Sequence, residues 1–282
     1  SGVIDLGRMK ARTYALGGNG KGKEGDIPAN LMDVAKEAHE RLVELVAEGK
    51  DELMEEFFEK GTIPEEDLVP ALHEAIREDR IFPVLFTSGL GNVGVDELMD
   101  FIVDYTPAPT EREPLKGEVT TGNGEPPTRK VADSAPLSLY VFKTVSDAFA
   151  GRISYFKVFS GVLKNDATLQ NFARNTPEKL AHISVMQGKQ AVPVTELHAG
   201  DIGCVAKLRN THTNDTLSTR AHPVRLPLIE LPEGQISMAV HATNRADEEK
   251  LQQGLHRLHD EDPTLEMHYN PETHETIVSG LG

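Results

Sequence analysis

Between residues 106 and 136 the apolar periodicity that organises the rest of the chain stops, and Pro107, Pro109, Pro114, Pro126 and Pro127 fall among charges of both signs. Proline fixes its own φ, removes an amide donor and pushes the preceding residue toward extended backbone, so neither a helix nor a central strand can run through such a stretch. The sequence therefore predicts separately folded parts joined by a linker over 106–135.

Ahead of the linker, over 1–105, the pattern is mostly helical. Val3-Ile4-Asp5-Leu6 is strand-like and is followed by Arg8, Lys10 and Arg12 and a glycine-rich stretch at 17–25, expected as a solvated loop. Asn30, with Asp33 at the third position, is a predicted N-cap for a helix carrying Leu31, Val34, Ala35, Ala38, Leu42, Leu45 and Val46 on one face until Gly49. Thr62, Pro64 and Glu65 signal a second start before Leu68, Leu72, Ala75 and Ile76. The apolar run 81–86 predicts a strand, and Val95, Leu98, Met99 and Ile102 predict the inward face of a further helix. That succession suits the edge of a parallel sheet.

After the linker the period changes to two. Alternating runs at 137–145, 152–159, 168–172, 180–186 and 201–208, separated by turn residues, predict a small closed β-barrel over 136–228. Residues 229–282 predict a strand at 236–240, a helix at 245–260 with Leu251, Leu255 and Leu258 inward, and two strands around Asn270-Pro271. This β-α-β-β order is the first part of a βαββαβ sandwich.

Charge is segregated along these parts. Eleven basic against twenty-three acidic residues give −12 over 1–105, while the other three parts carry −1, +5 and −8 in order. The barrel segment alone is basic, which is the distribution a polyanion-binding module needs inside an acidic chain. With 38% apolar and 26% charged residues and no apolar run near the length of a bilayer span, the composition excludes fibrous, membrane-spanning and wholly disordered classes. The first ten residues lack signal-peptide features, so a cytoplasmic location is expected. Cys204, the one cysteine, lies in the strand-like run Ile202-Gly203-Cys204-Val205-Ala206 and is expected as a buried, inert thiol.

Short motifs give less. Gly17 to Glu24 nearly spells a phosphate loop and Gly20 to Gly25 spells GxGxxG, but Glu24 stands where a Mg²⁺-binding hydroxyl belongs and no helix opens directly behind. His256, His259, His268 and His274 lack a cysteine or carboxylate set with which to surround zinc and are expected at the surface, so no metal site is assigned. No Ser/His/Asp arrangement follows from spacing.

Several longer runs together resemble elongation factor G. They are Gly2-Val3-Ile4-Asp5-Leu6 with Arg8-Met9-Lys10-Ala11, Glu52-Leu53-Met54-Glu55, Val103-Asp104-Tyr105 before Pro107, and Phe149 with Gly151-Arg152 before Tyr155 and Ser160-Gly161. Ala199-Gly200-Asp201-Ile202, Asp215-Thr216-Leu217, Ile236-Ser237 with Ala239-Val240, Glu261-Asp262-Pro263-Thr264 and Ser279-Gly280-Leu281-Gly282 continue it in the family's order.

The resemblance implies a multidomain α/β and β chain. Residues 1–105 would be a G-domain remnant with a helical insert, called G′; 136–228 the translation-factor β-barrel, domain II; and 229–282 a partial ferredoxin-like domain III. It further implies a parent that is a ribosomal translocase GTPase using GTP with Mg²⁺. The alternatives are a ribosome-protection or recycling GTPase without translocation, and a standalone RNA-binding barrel. The phosphate loop, switch threonine, DxxG and NKxD motifs would lie outside these residues, so no hydrolysis and no bound cofactor are expected of this chain itself.

Thr87-Ser88-Gly89 would be the guanine-contact loop, with Gly89 in place of the family's usual Ala, as Asn214 replaces its usual Gly. The barrel's Arg152, Lys157, Lys164, Arg174 and Lys179 are candidate contacts to small-subunit ribosomal RNA. Glu37, Glu40, Glu44 and Glu48 on the first helix are candidates for docking basic stalk proteins of the large subunit. The chain is expected to be monomeric and to have no membrane partner.

Overall fold

The computed structural model describes residues 1–118, 126–147 and 151–282, so the middle of the predicted linker and Phe149 lie outside the described residues. The chain divides into two compact units, Ser1–Ala108 and Pro109–Gly282.

In the first unit β1 (Gly2–Asp5), β2 (Lys10–Thr13) and β3 (Lys23–Gly25) form an antiparallel sheet in that order, followed by α1 (Met32–Ala47), α2 (Asp51–Lys60), α3 (Glu65–Arg77) and α4 (Val95–Tyr105). Part of the glycine-rich stretch is thus a paired strand rather than a solvated loop, and the Gly22 amide donates to Asp96 Oδ2 at 2.8 Å.

Neither predicted cap forms. Leu31 and Pro64 precede the two helices without side-chain bonds, and the Thr62 hydroxyl lies 3.3 Å from His39 Nε2 instead. On α1 the buried residues are Ala35, Val43, Val46 and Ala47, the last three packed with Ile63, Leu68, Ala71 and Leu72. Leu31, Val34 and Leu45 are exposed. Apolar residues on α1 cover more than one face, and α2 and α3 can occupy only one of them.

The largest departure is at 81–86. No described strand pairs with this run, and Phe82, Val84 and Phe86 are 75%, 78% and 81% exposed. A strand exists only through a neighbouring strand's hydrogen bonds, and here the Ile81 amide donates instead to the Ala75 carbonyl of α3 at 3.2 Å. Met99 and Ile102, expected inward on α4, are exposed, and the helix packs through Phe101 and Tyr105 instead.

The second unit begins with β4 (Leu115–Lys116) and β5 (Thr128–Arg129), a small antiparallel pair within the expected linker. The Glu118 amide donates to the Arg225 carbonyl at 2.7 Å, and Leu115 packs against Tyr140, Val224 and Leu226. The described ends of that stretch are therefore folded onto the sheet that follows.

That sheet is built from β6 (Ser138–Asp147), β7 (Gly151–Ser160), β8 (Leu163–Lys164), β9 (Ala167–Asn171), β10 (Thr176–Leu180), β11 (Ser184–Gln187), β12 (Gln190–Pro193), β13 (Glu196–Leu197), β14 (Ile202–Ala206) and β15 (Thr216–Ser218). Eight of these strands form one antiparallel sheet in the order β10-β9-β15-β6-β7-β14-β11-β12, with β13 and β8 paired separately. Leu180 of β10 and Val205 of β14 share one core with Leu139, Val141, Phe156, Val158 and Leu217, so the sheet is rolled around its apolar face. The expected ladder closure is absent among the described strands, since β10 and β12 remain edges. The single strand predicted at 180–186 is two strands, broken at His182 with φ 56°.

The unit ends with β16 (Ile236–Val240), α5 (Glu248–Glu261), β17 (Glu266–Asn270) and β18 (Glu275–Gly280), the strands ordered β16-β18-β17. Leu255 is buried, but Leu258, expected inward, is exposed. Cys204 is buried as expected, and burial raises its thiol pKa. Among the described residues no helix is long and apolar enough to cross a membrane.

Candidate nucleic-acid interface

Two buried carboxylates organise one end of the rolled sheet. Glu178, 2% exposed on β10, accepts the Arg209 amide at 3.0 Å, the Asn210 amide at 2.6 Å and the Thr211 hydroxyl at 2.9 Å. Asp215 Oδ2 accepts from Asn171 Nδ2 at 2.9 Å, Arg174 Nε at 2.6 Å and the His212 amide at 2.9 Å. Backbone amides of a loop must find acceptors when buried, and here anionic side chains supply them. Five of these bonds tie loop 207–215 to Asn171, Arg174 and Glu178, and the sixth, from His212 to Asp215, closes the loop on itself.

Asn214 belongs to the same loop. Its φ of 76° lies in the left-handed region, where asparagine follows glycine in tolerance. Its Oδ1 accepts the Tyr140 hydroxyl and the Ile229 amide, and its Nδ2 donates to the Ile229 carbonyl at 3.0 Å. Asn214 thus holds a backbone conformation that glycine adopts freely, and its side chain adds a tether to Tyr140 and Ile229.

Arg152 enters from β7, its Nη2 donating to the Leu208 carbonyl at 2.8 Å and the Arg209 carbonyl at 3.2 Å. Its Nη1 lies 3.6 Å from Asp260 Oδ2 in the last turn of α5, and His212 Nδ1 lies 3.2 Å from Asp260 Oδ1. Glu261 Oε1 accepts the Ser146 amide at 2.6 Å. A cavity of about 210 Å³ remains in this seam, lined by Arg174, His212, Thr213, His259, Asp260 and Pro263. The His259 Nδ1–H donates to the Leu265 carbonyl at 2.6 Å.

Of the five basic residues predicted to face RNA, Arg152 and Arg174 meet at this end and are engaged internally. The other three lie apart from them. Lys157 is partly buried, its ammonium 5.9 Å from the Phe159 ring centre, and burial lowers its pKa. Lys179 pairs with Asp166 at 2.9 Å and is largely exposed, as is Lys164, which stands opposite Glu196 in the β8–β13 register.

Burial, then the fields of Arg174 and Arg152, lower the His212 pKa, while Asp260 and Asp215 oppose the shift more weakly. Unfolding of the second unit frees His212 from that burial and from both guanidinium fields, so the unfolded chain takes up this proton at a higher pH than the folded one and binds more protons between the two values. This contribution to stability is present above that window and is lost as pH falls through it. The urea midpoint of the second unit should therefore fall between about pH 7.5 and about pH 5.5. His212→Gln, which keeps a neutral donor, should remove this group's share of that fall; an unchanged acid response in this variant would exclude His212 as its origin.

In the first unit Glu37, Glu40, Glu44 and Glu48 are exposed along α1, Glu37 paired with Arg41 at 2.6 Å. Beside them Val34, Ala38, Leu42 and Leu45 face Ile81, Phe82, Pro83 and Val84 across an apolar groove of about 380 Å³. The turn holding Thr87, Ser88 and Gly89 is closed by a Ser88–Val93 bridge, and Ser88 Oγ accepts the Gly91 amide at 3.1 Å. A Cβ at Gly89 would meet nothing within 4 Å, so alanine and glycine are sterically equivalent there.

Sequence reasoning missed Glu178, Asp215, His212 and Asp260 as partners. The one available signal was the acidic run Asp260-Glu261-Asp262 at a helix C-terminus, where the macrodipole disfavours negative charge unless a cation lies nearby.

Residues 136–220 match the family described as Elongation factor G domain 2, and residues 231–282 match Elongation Factor G, domain III. A crystal structure of a protein from Thermus thermophilus is similar over 100% of this chain and 39% of its own, with 30% sequence identity and a TM-score of 0.81. The chain thus spans about two fifths of the length of that relative.

Proposed function

Because the chain belongs to the elongation factor G family, we propose that it serves ribosome binding within a translocase GTPase, its rolled sheet contacting small-subunit ribosomal RNA. The observation that carries this reading is a net charge of +5 over 136–228 within a chain of net −16, on a segment that matches the family's second domain. Positive groups gathered on β-hairpins bind phosphates regardless of base sequence.

In this reading the first unit is the end of a G domain with its G′ insert, and 229–282 is part of a ferredoxin-like domain III. GTP and Mg²⁺ belong to the whole protein. The turn at 87–89 fits a guanine base, since its closing bonds leave Gly89 unobstructed. The acidic stripe and apolar groove of α1 suit stalk proteins of the large subunit that carry basic and apolar groups. Gly89 leaves open the space an alanine Cβ would fill and Asn214 holds a left-handed φ that glycine also adopts, so both departures are compatible with the translocase reading.

The test separates exposed lysines from engaged arginines. Lys164→Glu with Lys179→Glu should weaken binding to small ribosomal subunits and reduce the slope of log affinity against log salt by about 0.9 for each phosphate no longer neutralised on duplex-like RNA. Unchanged affinity and slope would refute the RNA-facing role of this sheet.

A further inference from the structure

We propose that the end of the sheet formed by Arg152, Arg174 and His212 is a second RNA phosphate site, and that the acidic tip of α5 occupies it in this conformation with Asp260 standing in for a phosphodiester. This rests on the reading of the sheet as an RNA-binding surface.

The site is built in advance. Its three basic groups come from β7, from the turn after β9 and from loop 207–215, and buried Glu178 and Asp215 hold that loop with or without α5. The two oxygens of Asp260 divide between Arg152 Nη1 and His212 Nδ1, as the two non-bridging oxygens of a phosphodiester can.

The fit of the carboxylate is imperfect. An optimised charge-assisted N–H···O bond is about 2.7–2.9 Å long, whereas Asp260 lies 3.6 Å from Arg152. The adjoining cavity of about 210 Å³ gives the larger tetrahedral group room toward Arg174 and His259. Helix stability does not account for Asp260 and Glu261, because the last turn of a helix repels negative charge. Cationic groups on the sheet offset that repulsion, so the tip behaves as an anion seated in an anion site. Asp260, Glu261, Asp215, Arg152, Arg174, His212 and His259 are the charged or titratable groups that meet there.

The experiment uses the full 282-residue chain and a short single-stranded RNA, with inorganic phosphate as a second probe. Asp260→Asn keeps the shape of the side chain and removes its charge. It should tighten RNA binding about fivefold to tenfold at low salt and steepen the log affinity against log salt slope by about 0.7, the value of one added phosphate contact on a single strand. Adding Arg152→Gln, or separately His212→Gln, to that variant should abolish the gain; circular dichroism would establish that each variant is folded.

If wild type and Asp260→Asn bind RNA with equal affinity and slope, the masked site is excluded while the RNA-binding reading stands. If neither binds RNA, both ideas fall. If inorganic phosphate binds Asp260→Asn as tightly as RNA does, the site takes a free anion and its assignment to RNA is overturned.

Discussion

Replacing Glu178 by alanine is expected to lower the unfolding free energy of the second unit by about 3–5 kcal/mol, the range for removing one side of a buried charged network. Three donors converge on this carboxylate from residues 209–211, and two of them are backbone amides that cannot turn elsewhere. A hydrogen bond to a charged acceptor contributes roughly 1.5–3 kcal/mol, and an orphaned buried donor carries its own desolvation cost of about 1–3 kcal/mol. The contributions are not additive, because a relaxed loop admits water.

Glu178→Gln should lose less, about 2 kcal/mol, since one oxygen remains to accept while the new amide group faces a donor. With no tryptophan in the chain, urea unfolding followed by far-ultraviolet circular dichroism is the suitable measurement. Hydrogen exchange should rise in loop 207–215 and in α5 together, because the loop carries His212 to Asp260. A midpoint within error of wild type for Glu178→Ala would show that the loop is held by something other than this carboxylate.

Phe156→Ala is the second large effect, also about 3–5 kcal/mol, from the burial forfeited plus the cavity left in a packed interior. Phe156 is fully buried on β7 within the cluster that Leu139, Val141, Leu180, Val205 and Leu217 complete from other strands. A Cβ added to Gly203 on β14 would run into Leu197 Cδ1 first and would also come within 3.1 Å of the Phe156 ring. Gly203→Ala should therefore destabilise by about 1–3 kcal/mol through overpacking. Combining it with Leu197→Ala should cost less than the two changes separately, because the shortened side chain vacates the space the new methyl needs. Strict additivity in that pair would mean that the contact is not the source of the strain.

The strand period was legible in advance. In period-two segments every second residue points to one face, so the runs 137–145 and 152–159 put Leu139 with Val141 and Phe156 with Val158 on common faces, while Tyr140, Phe142 and Phe159 make the opposite faces apolar as well and only the partner strands decide which cluster each face joins. The buried thiol of Cys204 and the turn at Asn270-Pro271 follow from the same local rules.

Helix α1 shows where such rules stop. Its apolar residues extend from the buried side of Ala35 and Val46 to the exposed side of Val34 and Leu45, and hydropathy is alike on both. The positions of α2 and α3, and at Ala35 those of Ala11 and Ile27, decide which side is covered. The run 81–86 has a strand's composition, yet strand pairing is a property of two segments, and no described neighbour supplies the second.

The charged seam lay furthest from view. The sequence determined that 136–228 is a basic segment of alternating strands and that α5 ends in Asp260-Glu261-Asp262, because charge and periodicity are read one residue at a time. Only the tertiary structure decided that Arg152 and His212 meet Asp260, and that Ser146 meets Glu261 115 residues away. An ion pair is fixed by distance and burial in space, and those quantities exist only once the sheet has rolled and the loop has been pinned by Glu178 and Asp215.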